Sequence, residues 1–194
     1  MPQSRQSATQ SSPQPTVRLL VLVRCEHGLY QVEQLAMLEF GAVAETSASP
    51  SEVLAGVTDF SDRRAQIYPN VKAGHFEVHS SDERSADATE RLWPFGMWER
   101  SRYDWSEPGT LTGTVIESNV LVPGSTWTLT ATPTEGGSRV ETVFRRDFLN
   151  TARGRVGWAL NRLGSSFAGS DLKKMLREIE RGTGRAPQSQ PRRQ

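Results

Sequence analysis

The fold is decided by residues 97–150, which read MWERSRYDWSEPGTLTGTVIESNVLVPGSTWTLTATPTEGGSRVETVFRRDFLN. Runs rich in β-branched and aromatic residues alternate here with turns at 107–109, 123–124 and 134–137. Connections this short join neighbouring antiparallel strands, whereas parallel strands need a long crossover. The stretch therefore predicts a meander of four antiparallel strands, at Trp98–Trp105, Thr110–Val122, Ser125–Thr132 and Ser138–Phe148.

A sheet of this kind needs a cover, because a four-stranded meander cannot bury its apolar face alone. The segment that follows, Thr151 to Glu180, is the only long helical pattern in the sequence. Its second half places Leu172, Met175, Leu176 and Ile179 on one helical face. We therefore predict a curved sheet wrapped on one long helix, with a loose or bent first half because that half is rich in glycine.

The residues before the meander predict one strand, two short helices and two more strands. Leu38–Ala48 is the first strand, and Ser49-Pro50-Ser51-Glu52 has the form of a helix start with a capping box. A second short helix is predicted from Asp59 to Ile67. Further strands are predicted at Val71–Ser80 and Ala86–Trp93. The predicted fold class is α+β, with about seven strands, two short helices after strand 1 and a long C-terminal helix.

The two ends of the 194-residue chain are polar and differ from this middle part. Residues 1–15 contain almost nothing apolar and cannot offset the entropy cost of ordering. We expect residues 1–36 to be a disordered or poorly structured extension, which an upstream mis-assigned start would explain. The folded domain is predicted over residues 37–182, followed by a disordered basic tail at 183–194.

Composition excludes several classes of function. The chain has 23 basic and 22 acidic residues, so it lacks the concentrated positive charge of a general nucleic-acid surface. A lone cysteine, Cys25, excludes an internal disulfide and a multi-cysteine metal site. No window approaches the roughly 20 apolar residues that span a bilayer. We predict a cytoplasmic protein without nucleic acid, transmembrane segment or cofactor, and the sequence leaves its oligomeric state open.

Five stretches follow the predicted order of elements: ETSASPSEV at 45–53, DFS at 59–61, WERSRYDW at 98–105, PGSTW at 123–127 and GSRVE at 137–141. On these residues and this order, the chain resembles the SRPBCC superfamily of helix-grip proteins. That superfamily contains START lipid-transfer domains, birch-pollen-allergen-like proteins and aromatic polyketide cyclases. The chain is most similar to the bacterial polyketide cyclase/dehydrase and lipid-transport branch, over about residues 37–181.

The resemblance implies a cavity between sheet and helix that holds an apolar or amphipathic small molecule. The predicted function is therefore binding, or transport, of a compound such as a lipid or a polyketide-like molecule. One alternative is a cyclase/dehydratase-type enzyme that uses the same cavity. A second alternative is an interaction or co-regulatory module without a ligand, which a filled interior and an exposed apolar patch would favour.

Aromatic residues are concentrated in the predicted domain, and ligand sites are mostly apolar with a few polar groups. A single aromatic residue is more often part of a core, but we expect some of this set to line a cavity. With Glu99 as a polar contact and Met175 on the helix, the predicted ligand-binding residues are Phe60, Tyr68, Phe76, Trp93, Glu99, Tyr103, Trp105, Trp127, Phe144, Trp158 and Met175.

The strand 98–105 alternates between two chemically different faces. Glu99, Ser101, Tyr103 and Trp105 share one face, and the other carries two arginines. We predict that the first face points inward, because arginines are costly to bury unpaired. A bulge in the pairing would invert this assignment.

Catalysis would need an inward acid/base pair, since the sequence has no nucleophile elbow, His-Glu-x-x-His or phosphate-binding glycine loop. The candidates are Tyr103 with Glu99, or Arg100 with Asp104 if the opposite face points inward. An ion pair at either place is equally well interpreted as structural.

A metal site is an alternative for His75, Glu77 and His79, which alternate along one predicted strand. We interpret them instead as the solvent face of that strand, with Phe76 and Val78 turned inward. We therefore predict no metal.

Overall fold

An antiparallel sheet forms the framework of the protein, in a computed structural model that describes residues 16–17, 37–68, 71, 74–92, 96–164 and 168–183. The strands are β1 Thr16–Val17, β2 Leu38–Thr46, β3 Phe76–Ser81, β4 Ser85–Leu92, β5 Met97–Asp104, β6 Thr110–Ser118, β7 Thr126–Thr134 and β8 Gly137–Arg146. The helices are α1 Pro50–Val57, α2 Arg64–Ile67, α3 Ala152–Gly164 and α4 Ala168–Thr183.

The sheet has the order β1-β2-β8-β7-β6-β5-β4-β3, so β5 to β8 are neighbours both in the chain and in the sheet. This confirms the predicted meander. The first long strand, β2, pairs with β8 along its whole length, from Leu38 opposite Arg146 to Thr46 opposite Ser138. The curved antiparallel sheet, the short helices and the C-terminal helix make up the α+β helix-grip architecture that the sequence predicted.

Helices α1 and α4 cover one face of the sheet, called the inner face here. Helix α1 begins as predicted: the Ser49 backbone N–H donates to the Glu52 carboxylate at 2.8 Å, and the Glu52 N–H donates to the Ser49 hydroxyl at 3.3 Å. Near the end of α4, Glu180 accepts hydrogen bonds from the hydroxyls of Thr46 and Ser47, at 2.6 and 2.9 Å. The side chains that α4 buries are those predicted from the helical period: Leu172, Met175, Leu176 and Ile179.

Helix α3 lies against the end of the sheet with its glycines turned toward the protein. A Cβ on Gly154 would collide with the Leu149 carbonyl oxygen, and one on Gly157 would collide with the Val120 side chain. These glycines, predicted to loosen the helix, therefore allow a close approach. The single helix predicted from Thr151 to Glu180 is described as two helices, and residues 165–167 between them lie outside the described residues.

Two predicted element starts are wrong. Strand β3 begins at Phe76 rather than Val71, because Gly74 adopts a φ of 78° that ends any extended run before it. Helix α2 begins at Arg64 rather than Asp59. The Ser61 backbone N–H instead donates to the Asp59 carboxylate at 3.0 Å, a local turn that competes with helix.

At the N-terminal side, Thr16–Val17 pairs with Glu39 and Leu38 at the edge of the sheet. The other residues of 1–36, and residues 184–194, lie outside the described residues, so the predicted extension and basic tail stay predictions. None of the helices within the described ranges is long and apolar enough to cross a bilayer.

Candidate functional site

A row of stacked aromatic rings crosses the inner face from β2 to β7. The rings of Phe40 and Phe144 stack at 4.8 Å, and those of Phe144 and Trp127 at 6.2 Å. The next position in this row is Gly113 on β6, directly opposite Trp127. Because Gly113 has no side chain, the Trp127 indole lies flat over it, and the row continues to Tyr103 at 6.3 Å.

Replacing Gly113 by Ala is expected to destabilise the protein by about 1–3 kcal/mol, the usual cost of overpacking. A Cβ at this position would lie 2.8 Å from Cδ1 of the Trp127 ring. Urea unfolding followed by tryptophan fluorescence measures the effect. The matched control is Gly136→Ala, whose Cβ meets nothing within 4 Å, and equal losses for both variants would contradict the close-packing explanation.

Arg64 is the centre of a buried polar cluster beside this row. Its side chain is 1% exposed, and it donates from Nε and Nη2 to Oε1 of Glu90, at 3.0 and 2.7 Å. It also donates from Nη1 to the Val57 carbonyl oxygen at 3.3 Å. Four aromatic rings surround the guanidinium within about 5 Å of its carbon, in the geometry of cation–π contacts. They belong to Phe60, Tyr68, Phe76 and Tyr103.

Two tyrosine hydroxyls complete the cluster. Tyr103 donates to Oε1 of Glu90 at 3.1 Å, and Tyr68 donates to the Val57 carbonyl oxygen at 2.9 Å. Burial raises the pKa of Tyr68 to about 12, and burial together with the Glu90 charge raises the pKa of Tyr103 well above its usual value. Both hydroxyls therefore act as proton-bearing donors at neutral pH.

A second carboxyl, Glu99, lies directly opposite Glu90 on the neighbouring strand β5. Side chains in such cross-strand positions have Cβ atoms about 4.5–5.5 Å apart. Burial raises the pKa of the Glu99 carboxyl; the Arg146 guanidinium, 3.9 Å away, partly opposes this, and the Glu90 charge adds to it. The inner face thus carries a Glu90 that is ion-paired with Arg64 beside a Glu99 whose pKa is raised by burial.

Arg146 connects this carboxyl pair to α3. Its Nη1 donates to Oδ1 of Asn161 at 3.4 Å, and its guanidinium carbon lies 5.2 Å from the centre of the Phe144 ring. Water still reaches these groups: the side chains of Glu90, Glu99 and Arg146 are 20%, 16% and 17% exposed. Solvent therefore reaches the inner face of the curved sheet at these three side chains, beside the aromatic row and α3; this partly exposed region is called the inner-face cleft here.

Within the described residues, two buried donors near this region have no hydrogen-bond partner. They are the Ser101 hydroxyl and the Trp158 indole N–H. Ser101 is on β5 between Glu99 and Tyr103 and is fully buried, whereas Trp158 projects from α3 into a second apolar cluster with Phe148 and Val120. Unpaired buried polar atoms are rare in folded proteins, and a bound water, a strained packing or a functional role can account for them.

Replacing Glu99 by Gln is expected to change how stability depends on pH. Because the folded-state pKa is raised above the unfolded value of about 4.3, the wild-type protein loses stability as the pH rises from about 4 through the folded pKa. Gln has no proton to lose, so the stability of the variant relative to wild type should increase as the pH rises above about 4 and through the folded-state pKa of Glu99.

Urea unfolding at a series of pH values measures this difference. Glu135→Gln, at an exposed turn, is the control and should follow the wild-type curve. A difference between Glu99→Gln and wild type that is constant or shrinks with rising pH would contradict the assignment.

The structure places Glu99, Ser101 and Tyr103 on the inner face, as the charge pattern of this strand predicted. The pairing of β5 with β6 does contain a register shift, but the extra residue is Ile116 on β6, so the alternation of β5 is undisturbed. On the other face, Arg100 pairs with Asp87 at 2.7 Å rather than with Asp104. That alternative acid/base pair is therefore wrong.

Most of the predicted site residues form two adjoining groups, which meet where the Trp127 ring contacts those of Tyr68 and Tyr103 at 6.4 and 6.3 Å. One group encloses Arg64: Phe60, Tyr68, Phe76 and Tyr103. A second borders the cleft: Glu99, Trp127 and Phe144. Trp105 adjoins the first group, since its ring stacks on that of Phe60 at 5.9 Å, and its indole N–H donates to the Glu83 carbonyl oxygen at 2.9 Å. Met175 is buried on the inner side of α4, and Trp158 lies in the apolar cluster at the α3 end. Trp93 lies outside the described residues.

Sequence reasoning missed Arg64, Glu90 and Arg146. Glu90 had a usable signal: it follows Ala86 and Ala88 on the inward positions of β4, where a carboxylate must find a partner. Arg64 and Arg146 each belong to an Arg-Arg pair, and nothing local distinguishes the buried member from the exposed one.

A groove of about 420 Å³ on the outer face is a weaker candidate. Several of its polar side chains are engaged with neighbours: Arg91 with Glu77 at 3.6 Å, and His79 with the Thr89 hydroxyl at 2.7 Å. Within the described ranges, no cluster of three or more His, Cys, Asp or Glu side chains is arranged to hold a metal ion. We therefore place the candidate site in the inner-face cleft.

Solved structures with the same fold are numerous. TTHA0849 from Thermus thermophilus has a TM-score of 0.61 at 15% identity, covering 75% of this chain and 99% of that one. The Zhui aromatase/cyclase from a Streptomyces species has a TM-score of 0.57 at 18% identity, covering 78% and 98%. Norcoclaurine synthase from Thalictrum flavum has a TM-score of 0.59 at 12% identity, covering 88% and 100%.

No protein-family profile and no curated protein sequence matches the chain. At such low identities the structural likeness establishes the fold alone. The chain has the helix-grip fold, and the fold that its resemblance to the SRPBCC superfamily implied is confirmed.

Proposed function

We propose that this protein binds an amphipathic small molecule in the inner-face cleft. The polar group of the ligand contacts Glu99 and Arg146, and its apolar part lies against Phe144 and Trp127. The observation that carries the proposal is the partial exposure of charged side chains on an otherwise apolar, concave face. Ligand sites are typically apolar concavities with a few convergent polar groups.

The chemistry of the cleft favours a particular type of ligand. The Arg146 guanidinium is a hydrogen-bond donor, and burial raises the pKa of the neighbouring Glu99 carboxyl, so the polar group of the ligand is an acceptor such as a carbonyl, hydroxyl or phenol oxygen. The flat aromatic row suits a ring system or an extended conjugated chain. Proteins with this fold include an aromatase/cyclase and a norcoclaurine synthase solved in complex with dopamine and hydroxybenzaldehyde, and these aromatic compounds support this ligand class.

Native mass spectrometry of the protein from its own host tests the binding proposal. A discrete co-purified compound, identified after solvent extraction, is the expected result. A clean ligand-free mass, together with no binding to fatty acids, sterols or aromatic polyketide-like compounds, would contradict it. That outcome would favour the interaction-module alternative.

Proton transfer on the bound molecule is a second candidate function, favoured by the direct opposition of Glu90 and Glu99. Two carboxyls whose surroundings separate their protonation states can act as acid and base. In the proposed step, the Glu99 carboxyl donates its proton to a carbonyl oxygen of the ligand, and the Glu90 carboxylate takes the proton from the adjacent carbon. The product is the enol, and the reverse step returns both protons.

Hydrogen–deuterium exchange at carbons next to the ligand carbonyl measures this step directly. Glu90→Gln and Glu99→Gln are each expected to slow the exchange at least about hundredfold, within the usual range for a lost general acid or base. Glu117→Gln, on the outer face of β6, is the control. If the ligand exchanges no faster with the protein than in buffer alone, the protein binds the ligand without catalysing proton transfer.

A further inference from the structure

Helix α3 differs from an ordinary surface helix because it turns large apolar side chains toward solvent. The side that meets the protein carries Gly154, Gly157 and Trp158, whereas the side that faces solvent is apolar. Amphipathic helices of globular proteins normally turn their apolar side inward. The exposed apolar side chains of α3 are Val156, Leu160 and Leu163, which are 44%, 41% and 71% exposed. At 3.6 residues per turn they form one stripe, called the α3 stripe here.

Positive charge borders the α3 stripe on both sides. Arg153 projects on one side, and Arg155 and Arg162 project on the other; all three are exposed, and α3 has no acidic residue. The positions of two of them are fixed by contacts: Arg155 donates to Oδ1 of Asn150 at 3.0 Å, and the Arg162 guanidinium lies 5.3 Å from the Trp158 ring. The charges therefore stay at the rim of the stripe.

We propose that α3 docks the protein onto an anionic membrane surface, with the α3 stripe inserted among the acyl chains and the arginines at the lipid headgroups. An apolar face flanked by basic residues is the arrangement of interfacial helices. At 13 residues, α3 is about 20 Å long, so it lies along the surface rather than across the bilayer.

Charge complementarity favours a membrane over a second copy of the chain. A twofold contact through the α3 stripe would place the same surface on both partners, and so would bring six arginines to one interface without an acidic partner on α3. An anionic bilayer offers both the apolar phase and the opposite charge.

Vesicle co-sedimentation of the full chain tests the proposal. The protein is expected to bind vesicles of phosphatidylcholine mixed with phosphatidylglycerol, to bind pure phosphatidylcholine much less, and to dissociate as salt is raised. The double variant Leu160→Gln/Leu163→Gln should weaken binding at least about tenfold, because binding strength scales with the inserted apolar area. Arg153→Gln should weaken it about fivefold.

The matched control replaces two comparably exposed apolar residues elsewhere, Val78→Gln and Ile116→Gln, and should leave binding unchanged. If the double variant does not fold, Leu163→Gln alone replaces it in the binding test. Leu163 is the most exposed of the three stripe residues, so its replacement disturbs folding least. A variant ending at Thr183 lacks the basic residues of 184–194, so it distinguishes their contribution to vesicle binding from that of α3.

Several results would overturn the proposal. One is no binding of the wild-type protein to the anionic vesicles. Another is binding that survives Leu160→Gln/Leu163→Gln and is lost in the variant ending at Thr183. A third is a wild-type dimer that Leu163→Gln converts to a monomer, which would assign the α3 stripe to a contact between copies.

Discussion

Replacing Arg64 by Met is expected to destabilise the protein by about 3–5 kcal/mol, the usual cost of removing one partner of a buried ion pair. The variant leaves the Glu90 carboxylate on an apolar face without the Arg64 guanidinium that pairs with it. It also removes the cation–π contacts of Arg64 with the surrounding aromatic rings. Met has a similar length, so the loss reports mainly on charge and hydrogen bonding. Urea unfolding at neutral pH measures it.

The adjacent Arg63 offers a matched control. Its side chain is 55% exposed and lies 3.7 Å from Asp59, so Arg63→Met is expected to cost less than about 1 kcal/mol. The double variant Arg64→Met/Glu90→Gln should recover most of the loss, because it removes the stranded charge. If the double variant is as unstable as Arg64→Met, the loss comes from packing and not from the ion pair.

Replacing Phe144 by Ala is expected to weaken ligand binding about ten- to hundredfold. Phe144 is the middle ring of the aromatic row and also lies beneath the Arg146 guanidinium, so its loss removes apolar contact with a ligand and loosens the polar contact beside it. Loss of one buried aromatic contact corresponds to about 1.5–3 kcal/mol, and each 1.4 kcal/mol is a factor of ten in affinity. Titration with 8-anilinonaphthalene-1-sulfonate, or with the co-purified compound, measures the change.

The preceding residue supplies the control, because successive strand residues point to opposite faces. Val143 is half-buried on the outer face of β8, and Val143→Ala should leave the affinity unchanged. Folding of both variants is checked by circular dichroism. Equal affinity for the Phe144 and Val143 variants would place the binding site elsewhere.

Local sequence signals predicted most of the fold. Turns at 107–109, 123–124 and 134–137 are short enough to allow antiparallel neighbours alone, so the meander followed directly from them. The capping box at Ser49 and Glu52 located the start of α1 equally well. In each case the deciding interaction lies within a few residues of chain, where the sequence displays it.

The errors occurred where backbone conformation overrides residue type. The residues before Phe76 look like a strand, but the positive φ of Gly74 interrupts any extended run, and the pattern of side chains contains no trace of that angle. The glycines of α3 were expected to weaken the helix. Whether a glycine loosens a helix or allows close packing depends on what lies against it, which the sequence does not state.

The site was predicted in part, for the same physical reason. Glu99 and Tyr103 were assigned inward because two arginines on the opposite face are costly to bury. Arg64 was missed because its partner, Glu90, is 26 residues away, and the pairing depends on how α2 lies over the sheet. Long-range pairs of this kind become visible only when the tertiary fold brings the elements together.

The pairing of β2 with β8 has a consequence for the order in which the chain is made. Ribosomes add about 5–20 residues per second, and β8 is synthesised about a hundred residues after β2. For roughly 5–20 s, β2 of the nascent chain therefore exposes Leu38, Phe40 and Ala42, because its partner strand β8 has not yet been made. Glu180, which closes α4 onto the end of β2, emerges later still. Until α4 leaves the ribosome, a newly made chain therefore exposes the apolar side chains of β2 that the folded protein covers.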